Sequence, residues 1–160
     1  MNWHEKNIEF NNLIRQLFHD NDWHKRAEAA RQLGLLEDGR ATNLLCRALR
    51  SEKDHIVVNK IIEALGRIKD GRATLRIVER LKEELDKYEP DKYRIIYIIE
   101  SLTKIRDKRA LEFLGPFLDS SDKELKSLTQ NAFDTIEPNW KEIIKRERNK
   151  SIQEIFKIGK

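Results

Sequence analysis

The chain has 160 residues, of which 38% are charged and 39% are apolar. That is too apolar for a disordered chain and too charged for one embedded in a bilayer, and no run approaches the roughly 20 consecutive apolar residues a membrane helix needs. The net charge of +4 sits at one end: residues 1–137 carry 25 basic and 25 acidic side chains, whereas residues 138–160 carry seven and three. A neutral body argues against a broad groove that tracks phosphates. The single cysteine, Cys46, rules out an internal disulfide, and the polar start MNWHEKNIEF lacks the apolar core of a secretory signal, so a cytoplasmic protein is expected. Abundant Lys, Glu, Arg and Ile beside one Met fit a thermophile.

In chain order, the first predicted helix covers 3–19 and opens on the capping box Asn2-x-x-Glu5. The second, 23–36, starts after Asp22 and spaces Trp23, Ala27, Ala30 and Leu33 along one face. It runs into LGLLEDGRATNLL at 33–45, and the chain then reads LGRIKDGRATLRI at 65–77. Leu102, Ile105, Asp107, Arg109 and Ala110 make a third copy, and Phe133, Ile136 and Pro138 a faded fourth. The steps are 32 and 37 residues between the aspartates and 31 to Pro138. A period in the thirties means stacked units of helix, turn and helix.

Within each unit, the first helix (A) leads through a tight turn into the second (B). Asp38, Asp70 and Asp107 are placed to cap the B helices, because a carboxylate there accepts from the open N–H groups of the first turn. Arg40, Arg72 and Arg109 recur at one position, so stacking should align them, each within reach of a neighbouring repeat's aspartate. Gly34 and Gly66, near the ends of A helices, permit a tight turn or a close approach of two helices. The remaining predicted helices are 40–50, 55–68 after Asp54, 72–88, 92–105 after Asp91, 108–119, 122–136, 139–149 and 152–158. Leu81, Leu85 and Tyr88 keep helical spacing, so the five extra residues of the 37-step should lengthen the B helix as far as a turn at Pro90. Ile95, Ile96, Ile98 and Ile99 surround helix 92–105 and predict burial on most sides. Pro116 should kink or split 108–119. Ser121-x-x-Glu124 and Ser151-x-x-Glu154 read as further capping boxes.

The D-x-R-A turn after an L-G-x-I run, with two helices per unit, resembles HEAT repeats, and most closely their short PBS-lyase-type variety. The resemblance covers residues 22–137 and is fullest in the first two copies. It implies an all-α fold: a right-handed α-α superhelix, a HEAT-like solenoid of about four helical pairs with capping helices. The whole of 1–160 would be one domain, with residues 1–21 as N-terminal cap helix, in which 3–19 look like the B helix of an incomplete repeat, 22–137 as repeats and 138–160 as basic C-terminal cap. Such families line a concave surface with B helices, and most members are implied to be interaction scaffolds.

Catalytic chemistry finds little support. His4, His19, His24 and His55 never pair at i, i+3 or i, i+4, so no two could ligate a metal from one helix face. Deoxyhypusine hydroxylase, a HEAT-repeat metalloenzyme, needs several His-Glu pairs, and only His4-Glu5 is present here. Cys46 has Arg47 beside it but no histidine nearby, and reads as a half-buried thiol. Trp3, Trp23 and Trp140 stand at helix starts, unlike the mid-concavity aromatics of HEAT-like DNA glycosylases. Tyr93 and Tyr97 share a face near Tyr88, which suits packing or rim contact. The bilin-lyase chemistry of some relatives is not carried by a structural motif. No catalytic residue, metal or cofactor is expected.

What remains is the outer face of the B helices: Asn43, Arg47 and Arg50, then Arg76, Glu79, Arg80 and Glu83, then Glu112. These form a mixed-charge strip suited to a protein or peptide partner. The expected function is thus a non-enzymatic scaffold without membrane contact. One alternative is a nucleic-acid-binding module using the basic C-terminus, whose Ile143, Ile144, Ile152, Ile155 and Phe156 equally suit a cap. Another is an accessory subunit of a lyase-like enzyme.

Overall fold

A computed structural model describes residues 1–159. Ten α-helices and four short 3-10 segments account for the secondary structure of the described residues, and none of it is strand. The helices are α1 (Trp3–His19), α2 (Trp23–Leu36), α3 (Thr42–Ser51), α4 (His55–Ile68), α5 (Thr74–Leu85), α6 (Lys92–Ile105), α7 (Leu111–Leu114), α8 (Lys123–Ile136), α9 (Trp140–Arg146) and α10 (Ile152–Ile155). Three of the 3-10 turns, Gly39–Ala41, Gly71–Ala73 and Lys108–Ala110, lead into the B helices α3, α5 and α7. The chain divides into two compact units, Met1–Ala73 and the residues from Thr74 on. Lys160, the last basic residue of the predicted C-terminal cap, lies outside the described residues.

In the first unit the two A helices, α2 and α4, pack along their length, with α1 against α2 and α3 against α4. Leu17, Leu33, Leu45, Leu49, Ile61 and Leu65 are fully buried between them. Gly34 makes the A–A contact possible, because a Cβ there would stand 2.8 Å from the Ala64 Cα. Alanine would gain about 0.8–1 kcal/mol of helix propensity. Pushing two backbones apart costs about 1–3 kcal/mol. Gly34→Ala is therefore expected to lower the thermal midpoint, against the usual direction for Gly→Ala in a helix, and calorimetry checks the sign. Gly34 does not form the turn itself. Helix A ends instead at a non-glycine residue in the left-handed region: Glu37, Lys69 and Arg106, with φ of 50°, 60° and 60°. Each accepts that conformation because its N–H closes the helix end, on the Gly34, Leu65 and Leu102 carbonyls respectively.

In the second unit α5 and α8 flank α6, whose Ile95, Ile98, Ile99, Leu102 and Ile105 are buried as its composition predicts. Three expectations need correction here. Helix α5 stops at Leu85 rather than running to Tyr88, because the buried carboxylate of Glu84 captures the Asp91 N–H at 2.7 Å and folds the intervening loop back. Tyr88, off the helix, is 99% exposed. Helix α8 starts one residue later than its supposed capping box: Asp122, not Ser121, accepts from the Glu124 and Leu125 N–H groups. The last two helices are shorter than 139–149 and 152–158, ending at Arg146 and Ile155. Pro116 does split its segment, leaving the four-residue α7 and a 3-10 turn over Gly115–Asp119. The C-terminal residues cover this end: Phe133 contacts the rings of Trp140 and Phe156 at 5.4 and 5.2 Å. Ile152 sits where a side chain on Gly115 would be.

Candidate functional site

Each repeat turn builds the same small device. The Asp38, Asp70 and Asp107 carboxylates accept from the N–H of the residue two positions on, capping the 3-10 turn. That same residue is the arginine, and two-residue spacing folds its guanidinium onto the capping carboxylate, at 2.6 Å in all three copies. The arginines thus pair with their own aspartates, not with a neighbouring repeat's as expected. The tie to the preceding repeat uses a further N–H of the same guanidinium, on Nη2 of Arg72 and Nη1 of Arg40. Arg72 donates to the Gly39 carbonyl at 3.0 Å, and Arg40 donates to Asn7 Oδ1 at 2.8 Å while lying over the Phe10 ring.

The buried hydroxyls of Thr42 and Thr74 make no close hydrogen bond, yet they act on Asp70 and Asp107 at longer range. The Arg72 guanidinium, with help from its own N–H and Thr42, holds the Asp70 carboxyl at about 2 against an ordinary 3.8. A depressed carboxylate contributes its full stability above pH 3.8 and loses it as the pH falls through about 2. Asp38 is lowered in the same direction by Arg40. Asp107 is also lowered, though burial works against its Arg109 contacts. Asp70→Asn keeps the cap but not the charge, so its thermal midpoint should fall less steeply than wild type between pH 4 and pH 2, with the two curves converging at the acid end.

The outer B-helix residues lie where helical spacing puts them, and they differ between the units. In the first unit Asn43, Arg47 and Arg50 are exposed on α3. In the second, Arg76 pairs with Glu79 and Arg80 with Glu83, both at 2.8 Å along α5. Arg80 is half-buried, as is Glu112 on α7, while Lys82 lies over the Phe113 ring. Sequence reasoning missed the outer face of α1, where Asn11 and Arg15 are exposed. A shift of 32 residues would have found it, since it aligns Asn11 with Asn43 and Arg15 with Arg47. A groove of about 310 Å³ opens between the C-terminal ends of α1 and α3, lined in part by Phe18, His19, Ser51 and Lys53. Arg26 closes its base, donating to both Glu52 oxygens and to the Asp20 and Asn21 carbonyls.

The remaining candidates are dispersed. The four histidines are exposed, His24 stacking on Trp23 at 3.5 Å. Among the described residues, no three His, Cys, Asp or Glu side chains converge as metal ligands would. Cys46 is half-buried on α3 within electrostatic reach of Arg72. Trp140 is buried and donates to Asp134 at 2.7 Å, whereas Trp3 is exposed. Tyr93 is exposed and Tyr97 half-buried. On the C-terminal segment Phe156 is buried and Ile143, Ile144, Ile152 and Ile155 half-buried, while Lys141, Lys145, Arg146 and Arg148 stay exposed.

Paired helices joined by a recurring Asp-x-Arg turn match a family model for HEAT repeats over residues 10–89, half of the chain. The chain belongs to the HEAT-repeat family. The match begins inside α1, the helix that stands in 32-residue register to α3. No curated protein sequence matches the chain. HEAT repeats generally serve as scaffolds for protein–protein interaction, and no helix among the described residues is long and apolar enough to cross a membrane.

Proposed function

We propose that this HEAT protein is a non-enzymatic scaffold that binds a protein partner through the outer faces of its B helices. The observation that carries the reading is the division of labour within each repeat. The turn charges are consumed by caps and inter-repeat ties, while the outer positions of α3 and α5 carry long polar side chains at helical spacing, Arg47 and Arg76 among them exposed. Charged faces of this kind set register and encounter rate with a complementary partner. The lone cysteine suits a reducing compartment, so the partner is sought in the cytoplasm.

Affinity capture from native extract at low and at 0.5 M salt tests this. A protein partner should be retained by wild type and lost from a variant reversed at Arg47, Arg76 and Arg80. Capture that survives the reversal moves binding off the B-helix faces. Nucleic acid that elutes with salt and depends on Lys145, Arg146 and Arg148 would place the activity on the C-terminal segment instead.

A further inference from the structure

The outward faces of α3 and of the C-terminal half of α1 carry cations and amides and no acid, Glu5 and Glu9 lying towards the start of α1. Residues 10–19 and 39–51 contain no Asp or Glu, in a chain that has 28. The 32-residue shift brings the buried positions of the two helices into correspondence, Phe10 with Thr42 and Leu17 with Leu49. The same shift places Asn11 with Asn43 and Arg15 with Arg47 on the exposed side. The helices touch, and Arg40 ties to Asn7 in the register in which Arg72 ties to Gly39. Packed helices lie about 8–10 Å apart, so two Asn–Arg columns stand side by side at that spacing.

Two arginines of this face, Arg15 and Arg47, are also set apart from other arginines of the unit. Arg26, Arg31, Arg40 and Arg72 of the same unit each have a carboxylate within 3.0 Å. Arg15 and Arg47 make no ion pair among the described residues. Two cations at equivalent repeat positions, on helix stretches that contain no acid, select for negative charge.

We infer that this face docks an acidic, extended peptide segment of a protein partner, an assignment that rests on the scaffold reading above. Guanidinium forks take carboxylates in two-point contacts. The amides of Asn11 and Asn43 each offer a donor and an acceptor, as a peptide unit requires. An extended chain rises about 3.1–3.3 Å per residue, so carboxylates three residues apart reach both arginines. Two cations flanked by amides suit such a segment better than a nucleic acid strand, which presents a charge at every nucleotide.

The test is selection of random 12-residue peptides on phage against the full chain, followed by fluorescence anisotropy with the peptides recovered. Peptides enriched in Asp and Glu are expected. Their Kd should rise at least tenfold in the Arg15→Glu/Arg47→Glu double variant, less in Arg15→Lys/Arg47→Lys, and stay unchanged in Lys104→Glu, a single charge reversal on α6. Circular dichroism confirms that the double variant is folded, as surface positions predict. Selected peptides with no acidic bias, or acidic peptides that bind the double variant as well as wild type, overturn this assignment and leave the scaffold reading standing. Failure to select any peptide, with no protein captured from extract, removes both. A single-stranded oligonucleotide that binds with the same dependence on Arg15 and Arg47 overturns it in favour of nucleic acid.

Discussion

Truncating Glu84 to alanine should cost about 3–5 kcal/mol, the toll of removing one partner from a buried ionic cluster. Glu84 is 1% exposed, and its two oxygens do different work. One accepts from the Asp91 N–H at 2.7 Å; the other faces Lys87 Nζ at 2.8 Å and Arg94 Nη1 at 3.9 Å. Arg94 is itself buried, and burial together with the nearby Arg80 charge disfavours its cationic form. Alanine would remove a counter-charge from that guanidinium and strand the Asp91 N–H at the start of α6. Glu84→Gln keeps an acceptor for the N–H and loses only the charge, so it should cost clearly less. Urea unfolding of the three proteins gives the ranking, and equal losses for Ala and Gln would show that charge, not loop closure, dominates.

Phe133→Ala should lose a similar about 3–5 kcal/mol, by the cavity left when a buried aromatic is removed. Phe133 is fully buried on α8, and its ring joins Trp140, which opens α9, and Phe156, which follows α10. The loss should therefore be local in character. Hydrogen exchange should accelerate most over residues 140–156, while α1 to α4 in the other unit keep their protection. Phe156→Ala removes one edge of the same cluster and should cost less, since that ring keeps 7% exposure and lies near the chain end.

The repeat was legible because its signals are local and periodic. Asp22, Asp54 and Asp91 cap the helices their positions announced, and α1, α2, α4 and α6 end where spacing and caps place them. The turn devices were half legible. Asp-x-Arg identified the residues, but which carboxylate an arginine takes depends on backbone geometry two residues away, and the nearer one wins. The loop after α5 was misread because Leu81, Leu85 and Tyr88 mimic a helical stripe, whereas a long-range hydrogen bond to Glu84 ends the helix. No local pattern marks a glutamate as buried. Nor does sequence mark Glu37, Lys69 and Arg106 as left-handed, since glycine or asparagine is the usual signal and none is present. Of the face proposed to bind a partner, α3 and α5 stood out within the motif, while the exposed Asn11 and Arg15 of α1 lie upstream of it and emerge only from register and burial.

Hydrogen exchange of the chain alone and bound to the protein it captures tests the central claim most directly. Scaffold binding through the B helices predicts added protection in α1, α3 and α5, with α2, α4 and α8 unchanged. Protection confined to the A helices, or to residues 140–156 alone, would contradict it.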